Sequence, residues 1–194
     1  MSTYLQYNNH MILHHTDRSK YFYGIAGDAP TPSFDEVTIG YQTWMAKNLS
    51  IDDGQGGIVT QTVNYGQGNV VEYYYTWDAA VRVAASISGW HLPSAADWDT
   101  LVNTVGYTNT GTKLKSTYGW SSGNGTDNYG FAAFPAGYKD SSSFMAFGSF
   151  AIFWTATEQS TTSAKNYYFD TGASWNQYYD SKSKFFSVRL VRGN

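Results

Sequence analysis

Cysteine is absent from this chain of 194 residues. That absence excludes disulfides, thiolate metal sites and cysteine nucleophiles, so stability has to come from packing. Charge is scarce as well: charged side chains make up 14% of the residues and the net charge is -3. No basic stripe runs through the sequence, which argues against nucleic acid as a partner. Proline occurs only 4 times against 19 glycines, a ratio that suits tight turns between short strands rather than long coil linkers. No stretch approaches eighteen apolar residues, so no membrane span is expected. Met1 to Asp17 lacks a positive segment followed by an apolar run, and no signal peptide is expected there. Neither a Gly-x-Ser-x-Gly elbow nor a Gly-rich phosphate loop ending in Gly-Lys occurs.

What the chain does have is rings. Aromatics reach 18%, with 17 Tyr and 7 Trp, and hydrophobic residues at 42% are enough for a core. The rings recur along the whole chain, and those from Phe153 onward have a distinctive setting. There Phe153-Trp154-Thr155-Ala156-Thr157-Glu158 and Phe186-Ser187-Val188-Arg189-Leu190-Val191 bracket a stretch rich in Tyr, Asn, Gln, Ser and Trp. This composition resembles a paratope, in which aromatic side chains supply contact area at low entropic cost and small polar ones supply adaptable hydrogen bonds. Trp175 to Tyr179 follow the turn-like run Thr171-Gly172-Ala173-Ser174 and are expected on a loop with their rings outward.

The rest of the chain divides in two. In residues 1–35, Tyr4 to Asn9 and His10 to His15 predict a small hairpin turning at Asn8-Asn9, and Ala29-Pro30-Thr31-Pro32 marks a break. This segment is expected to be an appendage for attachment or self-association. Residues 36–194 form the main domain. Val37-Thr38-Ile39 and Gln42 to Met45 flank Gly40-Tyr41, a hairpin signal. Thr76 to Ser88 predicts a helix with Trp77, Ala80, Val81, Ala84 and Ile87 on one face, stopped by Gly89. A second helix begins after Pro93, where Ser94 and Asp97 are spaced as a capping box. Trp98, Leu101, Val102 and Val105 recur at helical spacing, and Gly106 ends it. Beyond Gly106 no helical period survives. Tyr167-Tyr168-Phe169 and Phe185 to Val191 alternate like strands with every second residue inward. The predicted class is α+β, with two helices packed on a small, heavily looped antiparallel sheet.

Several segments in unbroken order over residues 37–192 resemble one family, the Fibrobacter succinogenes major paralogous domain. They are Val37 to Leu49, Tyr75 to Ala80, Gly89-Trp90-His91-Leu92-Pro93-Ser94, Gly111 to Ser116, Asn124 to Phe131, Trp154 to Glu158 and Phe186 to Arg189. That family resembles the C-type lectin fold of the variable proteins of diversity-generating retroelements. The resemblance implies a non-enzymatic receptor-binding protein with a variable-type region at about 153–192, displayed on a phage tail or fibre or on a bacterial surface. The implied partner is a cell-surface protein or glycan, without nucleic acid or membrane insertion. Two departures stand out. Secreted members carry paired cysteines where this chain has Ile87-Ser88 and Leu190, which favours a product of the cytoplasm such as a virion component. Phe185 replaces the usual Gly before Phe-Ser-Val-Arg and either extends the binding face or alters the local turn.

The expected ligand-binding residues are Lys165, Asn166, Tyr167, Ser174, Trp175, Asn176, Gln177, Tyr178, Tyr179, Lys184 and Phe185, with Lys165, Tyr167, Trp175, Gln177, Tyr178 and Tyr179 forming one exposed patch. No catalytic residue, metal or cofactor is expected. His91 is read as a histidine fixed between a buried Trp and a helix start, bonding backbone. His14-His15 is adjacent rather than at ligand spacing. Asp127, in Asn124-Gly125-Thr126-Asp127-Asn128, closes an Asx-type turn more readily than it binds calcium, because the loop lacks alternating acidic residues. Glu158 is read as a buried carboxylate that bonds backbone amides or pairs with Arg189. The rival readings are a glycan-cleaving enzyme using Glu158 and an Asp such as Asp170, and a purely structural virion or surface module.

Overall fold

In the computed structural model the described residues are 3–7, 10–14 and 32–193. The chain divides into two units, Met1–Ser33 and Phe34–Asn194. In the first, β1 (Thr3–Tyr7) pairs antiparallel with β2 (His10–His14), in the register Thr3 opposite His14 and Tyr7 opposite His10. The expected turn at Asn8-Asn9, His15 and the break at 29–31 lie outside the described residues.

The second unit is a mixed α+β domain with three helices and small antiparallel sheets. β3 (Glu36–Ile39) and β4 (Gln42–Met45) form the expected hairpin, and β12 (Val191–Gly193) adds to the other edge of β4. Gly40 makes the turn at φ 63°, a left-handed conformation that a side chain would strain. β5 (Ile58–Asn64) and β6 (Asn69–Tyr75) form a second hairpin, and the short β7 (Tyr138–Asp140) and β8 (Ser143–Met145) a third. β9 (Ala151–Glu158), β10 (Ser163–Phe169) and β11 (Trp175–Ser181) make a three-stranded sheet with β11 at its edge.

The first helix, α1 (Trp77–Ala85), starts at its cap Thr76, whose hydroxyl accepts from the Ala79 amide. Trp77, Ala80, Ala84 and Ile87 are buried as expected, but Val81 is exposed and Ala79 and Val83 are buried instead. The apolar face is thus rotated slightly from the predicted one. α2 (Ala95–Val105) carries the predicted capping box: Asp97 donates its amide to Ser94 Oγ and its carboxylate receives the Ser94 amide. Its apolar positions Trp98, Leu101, Val102 and Val105 are all buried. A third helix, α3 (Thr110–Leu114), corrects the expectation that helix ends at Gly106. Five residues are too few to show a helical period, and α3 is held by contacts made outside it.

Two apolar clusters lie on either side of β9. Ile152 and Trp154 enter one, with Tyr75, Ala80, Val83, Phe186, Val188 and Leu190; Ala151 and Phe153 enter the other, with Trp44, Trp98, Phe131, Tyr167 and Phe169. The C-terminal segment threads between them. Phe186 to Val191 are all buried, so the alternation expected there is corrected. Its backbone bonds to separate parts of the domain: Phe186 exchanges both bonds with Tyr75, the Ser187 amide reaches Ile152, Val188 accepts from Leu49, and Val191 exchanges bonds with His91. A segment bonded to so many neighbours has no solvent face to keep polar.

Candidate functional site

The antiparallel pairing of β10 and β11 sets Lys165 opposite Tyr179, Asn166 opposite Tyr178, Tyr167 opposite Gln177 and Phe169 opposite Trp175. Side chains alternate across a strand, so this register sorts the expected residues onto two faces. Lys165, Tyr167, Trp175, Gln177 and Tyr179 share one face. Asn166, Tyr168, Asn176, Tyr178 and Asp180 share the other. Tyr178 therefore stands back to back with the rest of the expected patch. Trp175 to Tyr179 are a strand and not a loop, which corrects the sequence expectation.

On the first face the rings run from core to surface. Trp98 of α2 stacks on Tyr167 at 5.2 Å between ring centroids, and Tyr167 stacks on Trp175 at 5.2 Å. Tyr167 is buried, at 1% exposure, and its hydroxyl donates to Asp99 Oδ1 at 2.6 Å. Burial, and then the hydrogen bond to Asp99, hold its pKa well above the usual tyrosine value. Its expected exposure is thus corrected: in this strand the face that carries Tyr167 covers α2. Trp175 is half-buried against the same cluster. Gln177 and Tyr179 are exposed, and the Lys165 ammonium lies over both the Tyr167 and Tyr179 rings.

The second face forms the floor of a groove of about 380 Å³. Tyr138, Phe150, Tyr168, Tyr178 and Phe186 line it with rings, and Asn166, Asp180 and Lys184 supply polar atoms. Asn166 is fully buried, which corrects its expected place at the surface. Its Nδ2 donates to Asp180 Oδ2 at 3.0 Å, while its Oδ1 has no partner. Lys184 Nζ donates to Asp180 Oδ1 at 2.7 Å and lies 3.9 Å from Asp140 Oδ2. Phe185 is half-buried beside the groove, under the Lys139 ammonium, with its backbone paired to Lys139. The bulky ring in place of Gly thus joins the β7 side. Tyr168 and Asp180 were not anticipated. The signal was available: once 175–181 is a strand, period two places Asp180 with Tyr178.

The turn that aims β11 is gripped from outside. Gly111 of α3 lies so close to it that a Cβ there would sit 2.5 Å from the Ser174 carbonyl oxygen. The Thr112 amide donates to Ala173 O at 3.1 Å. Lys115, at 1% exposure, donates to the carbonyls of Asp170 at 2.9 Å and Gly172 at 2.7 Å. Burial lowers the Lys115 pKa, an effect opposed by nearby Asp170. Ser174 is exposed at the end of this turn.

The other singled-out residues do not join the site. Glu158 is exposed and pairs with Lys182, not with Arg189. Arg189 is buried; its guanidinium donates to Phe131 O and, at 2.8 Å, to Asn48 Oδ1. Asn48 and the Tyr65 hydroxyl in turn donate to the buried Glu72. Desolvation brings the Arg189 pKa down to about 10, against the pull of Glu72 and Asp127. Asp170 accepts from the Gly172 amide. Glu158 lies opposite Ala164 and Asp170 follows Phe169, so they stand about 20 Å apart along β10, beyond the roughly 5–9.5 Å of glycosidase carboxylate pairs. His91 stands at the start of α2, but its ring is exposed and faces Asp97 Oδ2 at 3.4 Å rather than backbone. Asp127 Oδ1 accepts from the Ala132 amide at 2.7 Å, closing a wider loop than an Asx turn. Among the described residues no group of three or more His, Asp or Glu is arranged around a metal position, and no helix is long and apolar enough to cross a membrane.

Fold and surface together define a mixed α+β domain with a ring-rich hairpin at one sheet edge, exposed at Gln177, Tyr178 and Tyr179. The chain belongs to the family of the Fibrobacter succinogenes major domain, whose model matches residues 37–192. No curated protein and no solved structure matches it.

Proposed function

We propose that this protein is a non-enzymatic ligand-binding protein whose contact surface is the β10–β11 hairpin, carried on a C-type lectin-like scaffold. The ligand is a cell-surface protein or glycan, and the protein acts on a phage tail or fibre or at a bacterial surface. The observation that carries this reading is the edge strand itself. Gln177, Tyr178 and Tyr179 are exposed in succession, Tyr178 at 64% and Tyr179 at 40%, on a hairpin clamped by Lys115 and Gly111. Exposed rings on a rigid support suit recognition, because large contact area is gained with little ordering of the protein. The mixed α+β architecture accords with the C-type lectin-like resemblance, and the family match spans the whole domain.

The test is co-sedimentation of the full chain with intact cells from a panel of bacterial strains. The wild type should bind a subset, and Gln177→Ala with Tyr179→Ala should abolish binding at unchanged melting temperature. Equal binding by the double variant overturns the assignment of the surface. Diversification has its own test in the neighbouring DNA: a reverse transcriptase gene and a near-copy of the C-terminal coding segment, differing at adenines, are expected.

A further inference from the structure

The groove on the second face holds chemistry that selects among ligands. Two carboxylates, Asp180 and Asp140, face one ammonium, Lys184. The carboxylates have acceptor capacity left, since each ionised oxygen takes about two hydrogen bonds. The orientation of the Asn166 amide follows from its neighbour: the Asp180 carboxylate only accepts, so Nδ2 must face it and Oδ1 must point away. That Oδ1 is buried and unpartnered, and an unmet acceptor of this kind is costly to keep. Its cross-strand neighbour Tyr178 is 64% exposed and can turn aside with little loss of packing. The groove therefore offers acceptors and five ring walls; its Asp180 and Lys184 balance, and Asp140 beside Lys184 adds one negative charge at the margin.

We propose that this groove takes a guanidinium group, the side chain of an arginine on a protein partner. A guanidinium is planar, weakly hydrated and rich in donors, and it stacks on aromatic faces. It would lie against Tyr178 and Tyr168 and donate to Asp180 and Asn166. A lysine ammonium is compact and strongly hydrated and gains less from the rings. A neutral sugar would stack but leave the Asp140 carboxylate at the margin uncompensated. The proposal rests on the ligand-binding reading and narrows its ligand to a protein with an exposed arginine.

The experiment is NMR titration of the full chain with N-acetyl-arginine amide, N-acetyl-lysine amide, free arginine and methyl glucoside. Single side chains bind weakly, so probes are carried to about 10 mM, where a Kd near 1 mM is readily measured. The arginine amide should shift Tyr168, Tyr178 and Asn166 resonances and bind more tightly than the lysine amide. Free arginine should bind no better than the amide, since its own carboxylate meets Asp180 and Asp140. Asp180→Asn keeps the shape and should weaken the arginine amide about ten-fold, the loss of one charged hydrogen bond. Asp140→Asn, at the groove margin, should weaken it less. Lys184→Gln removes the competing cation and should tighten it several-fold. Melting curves confirm that each variant is folded. Equal affinity for the lysine amide, preferred binding of methyl glucoside, weaker binding by Lys184→Gln, or no shift at all overturns the proposal. If the arginine amide fails while Gln177→Ala with Tyr179→Ala still abolishes cell binding, the groove assignment falls and the ligand-binding reading stands.

Discussion

Tyr167 and Tyr179 occupy neighbouring same-face positions of the β10–β11 ladder, yet one belongs to the core and the other to solvent. The difference is what lies above each: Trp98 and Asp99 of α2 cover Tyr167. Truncating Tyr167 to Ala should therefore cost about 3–5 kcal/mol, as for other buried aromatics. Tyr179→Ala should leave thermal denaturation nearly unchanged. Trp175 stacks on Tyr167, and its removal should cost about 1–2 kcal/mol from the lost ring pair and apolar area. For that reason Gln177 and Tyr179, and not Trp175, are the clean probes of binding. Tyr65, Tyr74, Tyr75 and Tyr167 share a second property: burial raises each pKa above the usual tyrosine value of 10.0. In the unfolded chain these phenols ionise near pH 10, while in the fold they stay neutral. A raised folded pKa gives stability that is complete below the unfolded value and is lost as pH climbs beyond it. The domain should thus unfold in alkali above about pH 10. In a spectrophotometric titration these phenols should ionise together with unfolding, after the exposed ones; independent titration of every tyrosine would contradict their burial.

At the scale of elements, the capping box of α2 was legible because it is local: Ser94 and Asp97 are three residues apart and satisfy each other's amides. The hairpin at Gly40 was legible for the same reason. α3 was not, since its five residues are fixed by the turn at 170–174, far away in sequence. That turn supplies a prediction. Gly111→Ala would drive a methyl into the Ser174 carbonyl, which it would meet at 2.5 Å without movement. Overpacking against backbone should cost about 1–3 kcal/mol, and β11 should lose amide-exchange protection ahead of β9. Unchanged protection of β11 would show that α3 does not hold the hairpin. Strand alternation was predicted for Phe185 to Val191 and fails there, because the segment passes between two apolar clusters and is buried on every side.

At the scale of the whole molecule, the family match and the compact unit Phe34–Asn194 nearly coincide. A chain starting at Phe34 should melt cooperatively at a temperature close to that of the full chain. Two strands alone are marginal in water, so residues 1–33 are expected to act through self-association or docking. Light scattering should show the full chain as an oligomer and the shortened one as a monomer; two monomers would exclude self-association. The sequence by itself determined the mixed α+β class, the first hairpin, both long helices, the family and the polar-aromatic composition of the C-terminal stretch. The family shows in its ordered motifs over 37–192, and the rest follow from spacing, capping and composition, which act within a few residues. Only the tertiary structure decided which rings are free. The β10–β11 register put Tyr178 and Tyr179 on opposite faces, α2 covered Tyr167, and Asn166 was buried over Asp180. Glu158 found Lys182, and Arg189 found Asn48 and Phe131. Partners so distant in sequence leave no local pattern, because what joins them is the packing of separate elements around a shared core.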